Sequence, residues 1–258
     1  MKALLLTYDK QVGLAELVVK SYMALWKECP FQFVIPRNDE SNPHFKFLAA
    51  QRNVFLVRTP SSIHGTMSVL LEGLGDETWV YWCIDDRYPI EIDQPALRGV
   101  FDFIESGAAD SLNAIKLMHW KETADTTCTD VCISNRTFRF QAHSSATGFC
   151  HHHFVKAKAL KEIFLRAARE GIADNPAALN EYYLQKVTSS VAFTNRVFPV
   201  DGPITQLGEP LANGLLLANA IEALAKYNCP VPDYKTQPHA VFFNGTSTSN
   251  GDHCIQGT

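Results

Sequence analysis

Residues 78–84, Thr-Trp-Val-Tyr-Trp-Cys-Ile, make a dense apolar run that ends abruptly at Asp85-Asp86-Arg87. A run of that length, entered through the turn Gly75-Asp76-Glu77, reads as a strand buried on both faces. Such a strand needs cover on two sides, which confines the chain to a layered α/β arrangement.

The preceding sequence supplies the layers. Residues 2–7 read as a short buried strand, and residues 14–27 carry a helical stripe of Leu14, Leu17, Val18, Tyr22, Leu25 and Trp26. Residues 31–35 and 54–57 read as strands, closed by Pro36 and by Thr59-Pro60. Residues 65–74 return to helical spacing. This alternation predicts an α/β fold with a mostly parallel central sheet flanked by helices. Further on, a helix is expected from Pro95 to Ile104 and strands over 114–118 and 138–141. Helices are expected over 157–169, 176–187 and 211–226, the middle one entered through Asp174-Asn175 as caps with Pro176 in its first turn. Residues 244–258, rich in Gly, Ser, Thr and Asn, read as a flexible tail. No internal repeat or linker divides the chain, so one domain is expected over 1–258.

At 258 residues the chain is long enough to bury a core without disulfides. Its formal net charge of −4 argues against a nucleic-acid partner, which asks for a basic face. The seven cysteines are odd in number and scattered, and they read as reduced thiols of a cytoplasmic protein. The opening apolar run is too short for a signal peptide, and no segment approaches the roughly 20 apolar residues of a membrane span. Peripheral association with a membrane needs no such span.

In mostly parallel sheets ligands sit beyond the carboxyl ends of the strands. Thr7-Tyr8-Asp9, Arg37-Asn38-Asp39 and Asp85-Asp86 all fall at such ends, so three polar clusters distant in sequence are expected at one edge. Adjacent carboxylates repel each other unless a cation or donors accompany them. A magnesium or manganese ion bridging a diphosphate satisfies that need; a helix cap or a solvated turn is the plainer use of such a pair.

The stretch 64–89 combines a helix, an acidic turn, a hydrophobic strand, Asp85-Asp86 and Pro89 in that order. It resembles the corresponding segment of GT-A glycosyltransferases, and the likeness in element order covers roughly the first 105 residues. The resemblance implies a single GT-A (Rossmann-like) domain using a nucleotide-sugar donor, favoured as a UDP-sugar. Its nucleotide-sugar-binding half would be 1–105 and its acceptor-binding half 106–243. Thr7, Tyr8, Asp9, Asn38, Asp39, Asp85 and Arg87 would hold the nucleotide, with Gly148 in the loop facing the donor sugar. Asp86 and His253 would bind Mn2+ or Mg2+. The family's Asp-x-Asp pattern is altered here, because Arg87 follows the pair. Either Asp86 is the final, metal-binding carboxylate, or Arg87 supplies positive charge to the diphosphate and metal is dispensable.

By the same resemblance an inverting enzyme needs a carboxylate that takes the acceptor's proton. Glu181 occupies that position, with Asp174 second. The acceptor would be a glycan, a lipid-linked or a small molecule bearing a hydroxyl. His151-His152-His153 is not expected to chelate one ion, since consecutive side chains alternate faces on a strand and fan apart on a helix. Lys116, Arg196, Arg58 and Trp120 are further candidates for phosphate or acceptor contacts, with nothing in the sequence to rank them. Other classes lack their marks: no Gly-x-Gly-x-x-Gly follows the first strand, no Gly-Lys-Ser/Thr occurs, and the basic glycine-rich loop of a sugar-nucleotide nucleotidyltransferase is missing. A non-catalytic GT-A-like binding or scaffold protein is the other reading consistent with the altered motif.

Overall fold

The computed structural model describes residues 1–42, 45–118, 130–141, 151–183, 194–212 and 214–237. The first strand, β1 (Lys2–Leu6), leads through a 3-10 turn into helix α1 (Val12–Leu25). Strand β2 (Gln32–Arg37), the short helix α2 (Lys46–Ala49), strand β3 (Val54–Arg58) and helix α3 (Ile63–Leu70) follow. Then come the apolar strand β4 (Trp79–Ile84), strand β5 (Tyr88–Ile92) and helix α4 (Gln94–Glu105). Beyond these lie β6 (Ala114–Lys116), β7 (Asp130–Ile133), β8 (Arg136–Gln141) and β9 (His153–Lys156). Helices α5 (Ala157–Arg169) and α6 (Pro176–Tyr182), strands β10 (Arg196–Pro199) and β11 (Thr205–Gly208), and helix α7 (Ala218–Lys226) complete the main elements.

Nine strands form one sheet in the order β3-β2-β1-β4-β9-β6-β10-β8-β7. The first four are mutually parallel, as are β6 and β10, while β9 and β8 run against the rest. This is the mostly parallel α/β sheet that the sequence predicts. β5 and β11 pair separately as an antiparallel ribbon.

Each face of the sheet carries its own core. On one, Tyr81, Cys83, Phe33, Phe154, Ile115 and Val197 pack with Tyr22 of α1 and Phe101 of α4. Its centre is aromatic: Phe31 stacks on Tyr81 with centroids 4.1 Å apart, and Tyr22 meets Tyr81 edge-on. On the other, Leu4, Trp82, Val80 and Val155 pack with Met67 of α3, Leu160 and Phe164 of α5 and Tyr183 beyond α6. Alternate residues of β4 thus face opposite layers, which is why its sequence is apolar throughout.

Several expected boundaries shift. The helix expected over 65–74 occupies Ile63–Leu70, because Ser62 caps it by accepting from the Gly65 N–H. The helix expected over 211–226 begins only at Ala218; Leu211–Ala212 and Leu215–Leu217 instead pair as a small hairpin, the latter also pairing with Thr236–Gln237. Leu215, Leu216 and Leu217 satisfy a strand and a helix equally well by hydrophobicity, and pairing decides. Helix α6 is described only to Tyr182, so the expected stretch 184–187, like the tail 244–258, lies outside the described residues.

Candidate functional site

The carboxyl ends of β1, β2, β3 and β4 lie along one edge, and their polar residues are tied together there. The Asp9 carboxylate accepts from the backbone N–H groups of Asn38 (2.8 Å) and Asp39 (2.7 Å), fastening the end of β1 to the end of β2. The Asn38 amide then donates to the Thr59 and Pro60 carbonyls beyond β3. Asp39 closes a local turn by accepting from the Ser41 N–H and hydroxyl, which holds its exposed carboxyl below the usual range. The side chains of Asp9 and Asn38 are therefore occupied in shaping the edge, while the Tyr8 ring, 43% exposed, stands out from it.

Asp85 is buried and turns back toward β1. Thr7 Oγ1 donates to its Oδ2 at 2.5 Å. With the Gln11 amide turned so that nitrogen faces the carboxylate, Nε2 donates to the same oxygen at 2.7 Å, and Oε1 accepts from the Tyr234 and Tyr8 hydroxyls. Burial pushes the Asp85 carboxyl well above the ordinary range; the Thr7 bond opposes that rise and the neighbouring Asp86 charge adds to it. Gln11 and Tyr234 went unnoticed in the sequence. The segment carrying Tyr234 passes close to α1 at Gly13, where a Cβ would fall 2.0 Å from the Pro230 carbonyl oxygen.

Asp86 points the other way. Its Oδ1 is buried with no hydrogen-bond partner, and burial raises its carboxyl, partly countered by Arg87. Arg87 donates to the Asp86 carbonyl at 2.7 Å and pairs with Glu209, just past β11, at 2.5 Å. The guanidinium is thus held between two carboxylates, and Glu209 follows a short strand that no spacing in the sequence announces.

The consecutive histidines divide between the two faces of the sheet, as alternation requires. His152 Nε2 donates to the Ile84 carbonyl at 2.9 Å, immediately before the Asp pair, and its Nδ1 accepts from the Tyr22 hydroxyl at 2.9 Å. Tyr22 in turn accepts from the Tyr81 hydroxyl at 2.7 Å. Burial lowers the His152 pKa to about 4. His153, on the opposite face, donates from Nδ1 to the His151 carbonyl and accepts at Nε2 from Lys116 at 3.2 Å.

The acid/base candidates part company. Asp174 accepts from the Ile63 and His64 N–H groups at 3.1 and 2.8 Å, so both its oxygens cap α3. Glu181 is exposed on α6. Gly148, His253 and Trp120 lie outside the described residues. Among the described residues no group of three or more His, Cys, Asp or Glu side chains is arranged to hold a metal ion, and no helix is long and apolar enough to cross a membrane.

No family model matches this sequence, and no curated protein does. Among solved structures the chain is similar to S. aureus TarS, at 13% identity and a TM-score of 0.45 over 78% of this chain. It spans only 35% of that TarS chain. It is also similar to an active-site mutant of LgtC (9%, TM-score 0.43, 93% of this chain and 89% of the other). A third likeness is to 2-C-methyl-D-erythritol 4-phosphate cytidylyltransferase (IspD) from Francisella tularensis (10%, TM-score 0.42, 88% and 98%). These likenesses are partial, and they leave the chemistry of the site to its own residues.

Proposed function

We propose that this protein is a glycosyltransferase moving a sugar from a nucleotide donor, favoured as a UDP-sugar, to a hydroxyl of a glycan, lipid-linked or small acceptor, with inversion. The observation that carries this reading is the unpartnered, buried Oδ1 of Asp86 at an edge where β1, β2 and β4 each deliver polar residues. A carboxylate left without a donor in such a place suits a cation. Magnesium is commonly held by one or two carboxylates together with substrate phosphates. Asp86 fits that mode, with Mn2+ or Mg2+ supplying charge against a diphosphate leaving group. The exposed Tyr8 ring offers a face for the base, and Thr7, Gln11 and Asp85 form the floor beneath it. Arg87, already paired with Glu209, would lend its charge to the diphosphate from that position.

For the proton of the acceptor hydroxyl, Glu181 is the preferred base. Asp174 is spent on the α3 cap, and withdrawing it would expose two helix N–H groups.

Calorimetric titration with UDP, with and without manganese, on wild type and Asp86→Ala tests the proposal. Binding that needs both the metal and Asp86 is expected. Metal-independent binding would transfer the diphosphate role to Arg87. Silence toward UDP, GDP, dTDP and CMP alike would overturn the proposal in favour of a non-catalytic protein.

A further inference from the structure

The ribbon of β5 and β11 lies outside the nine-stranded sheet, and its register decides what stands beside the Asp pair. Thr205 and Gln206 are paired with Ile92 and Glu91, but Leu207 and Gly208 are paired with Pro89 and Tyr88, so Ile90 is an extra residue on β5. A bulge of this kind re-aims the side chains that follow it. In unbroken register Glu209 would come opposite Tyr88; the bulge advances it by one step, to Arg87. The advance is locked on both sides. At Gly208 an added Cβ would fall 2.7 Å from Tyr88 Cζ, so the tyrosine ring lies where any other side chain would begin. The Tyr88 hydroxyl donates to the Asn219 carbonyl in the first turn of α7, and at the ribbon's far end the Asp93 N–H donates to the Ile204 carbonyl at 2.9 Å.

One guanidinium then faces two carboxylates. Arg87 Nη2 lies 2.5 Å from Glu209 Oε1. Its Nη1 donates to the Asp86 carbonyl at 2.7 Å and stays 3.8 Å from Asp86 Oδ2, too far for a hydrogen bond. The Arg87 and Glu209 side chains are only 12% and 18% exposed, so water and salt screen their attraction little. Asp86 Oδ1 keeps no partner at all. With Glu209 neutral, the one carboxylate left within 4 Å of Arg87 among the described residues would be Asp86.

We infer that Glu209 is a positioning residue that draws the Arg87 guanidinium off Asp86, leaving the Asp86 carboxylate open to the cation and the guanidinium beside the diphosphate. This rests on the reading of Asp86 as the carboxylate that holds Mn2+ or Mg2+. Glu209 acts through Arg87 and does not itself touch the metal.

The test is calorimetric titration of the full chain with UDP, with and without manganese, on wild type, Glu209→Gln, Arg87→Gln and the double variant, each confirmed folded by its melting transition. The readout is the ratio of the two UDP affinities, which separates the metal's contribution from whatever Arg87 or the ribbon adds to nucleotide binding. A ratio of about tenfold or more is expected in wild type, as for a charged contact to a bound cation. It should collapse toward unity in Glu209→Gln, where Arg87 turns onto Asp86. It should return in the double variant, which has no guanidinium left to do so, and persist in Arg87→Gln alone.

A Glu209 that only braces the ribbon, or that ligates the cation directly, predicts no return in the double variant, and that result overturns the inference. So does a wild-type ratio in Glu209→Gln, or loss of the ratio in Arg87→Gln alone. A wild-type ratio of unity is a different failure: it discards the reading of Asp86 as the metal's ligand, and the role of Glu209 with it. The crystal structure of Glu209→Gln supplies a readout free of nucleotide and metal. The guanidinium is expected within hydrogen-bond distance of an Asp86 carboxylate oxygen, and one that has not moved overturns the inference.

Discussion

The Asp9 carboxylate holds the Asn38 backbone N–H at 2.8 Å while its second oxygen takes the N–H of Asp39, so one side chain fixes where β1 and β2 end relative to each other. Bonds from backbone N–H to a carboxylate are stronger than neutral ones, and here two share one partly exposed acceptor. Asp9→Ala is expected to cost about 2 kcal/mol in urea unfolding. It should also weaken UDP binding without altering the metal requirement. Unchanged stability would mean that water replaces the carboxylate at no loss.

The His152 bridge gives the fold a pH dependence. Its folded pKa of about 4 lies below the ordinary value of 6.5, so its stabilisation is complete above pH 6.5 and is lost as pH falls through 4. The full linkage amounts to about 3 kcal/mol. His151 and His153, also lowered, act in the same direction, and Asp85, raised by burial, acts in the opposite one. Comparing wild type with His152→Leu cancels these other groups. The variant is expected to be less stable at pH 7, having stranded the Tyr22 hydroxyl and the Ile84 carbonyl, with the gap narrowing by roughly 2–3 kcal/mol at pH 4. A gap that stays constant with pH would show that His152 titrates normally.

Asp174 and Glu181 make opposite predictions. Removing the α3 cap in Asp174→Ala should lower stability by about 1 kcal/mol and leave UDP affinity unchanged. Glu181→Gln, on an exposed helical position, should leave stability within about 0.5 kcal/mol of wild type. If Glu181 takes the acceptor's proton, that variant loses turnover while keeping donor affinity. Loss of both together would assign it to binding instead.

What the sequence made legible follows from periodicity. The first four parallel strands and their helices repeat patterns that hydrophobicity alone specifies, and their polar ends could be read as one edge. Among the antiparallel strands, the one expected over 138–141 is found as β8, but β9 was not legible. β9 carries His-Phe-Val-Lys, too short and too mixed to announce a strand, and it becomes one only because β4 and β6 flank it. The same holds for the site. Asp85 and Asp86 are adjacent letters with the same chemistry, yet one turns inward to Thr7 and Gln11 while the other faces Arg87 and Glu209. Nothing in the pair itself encodes that division; residues distant in the chain impose it, namely Thr7, 78 positions before Asp85, and Glu209, 123 positions after Asp86.

Asp86 is where stability and function should separate. Its carboxyl is raised by burial, Oδ1 has no partner, and Arg87 approaches only to 3.8 Å while Glu209 takes that guanidinium at 2.5 Å. An ionised group so placed costs desolvation that its neighbours only partly return. Because its folded pKa lies above the unfolded value, its contribution to stability is greatest at low pH and falls away as the carboxyl ionises. Asp86→Ala is therefore expected to melt no lower than wild type at pH 7, and to gain up to about 1 kcal/mol. In the same variant, UDP binding with manganese should fall about tenfold or more, the loss expected for a charged contact to a bound cation. A variant that is markedly less stable would instead identify Asp86 as a structural partner of Arg87, and the unpartnered oxygen would no longer point to a ligand.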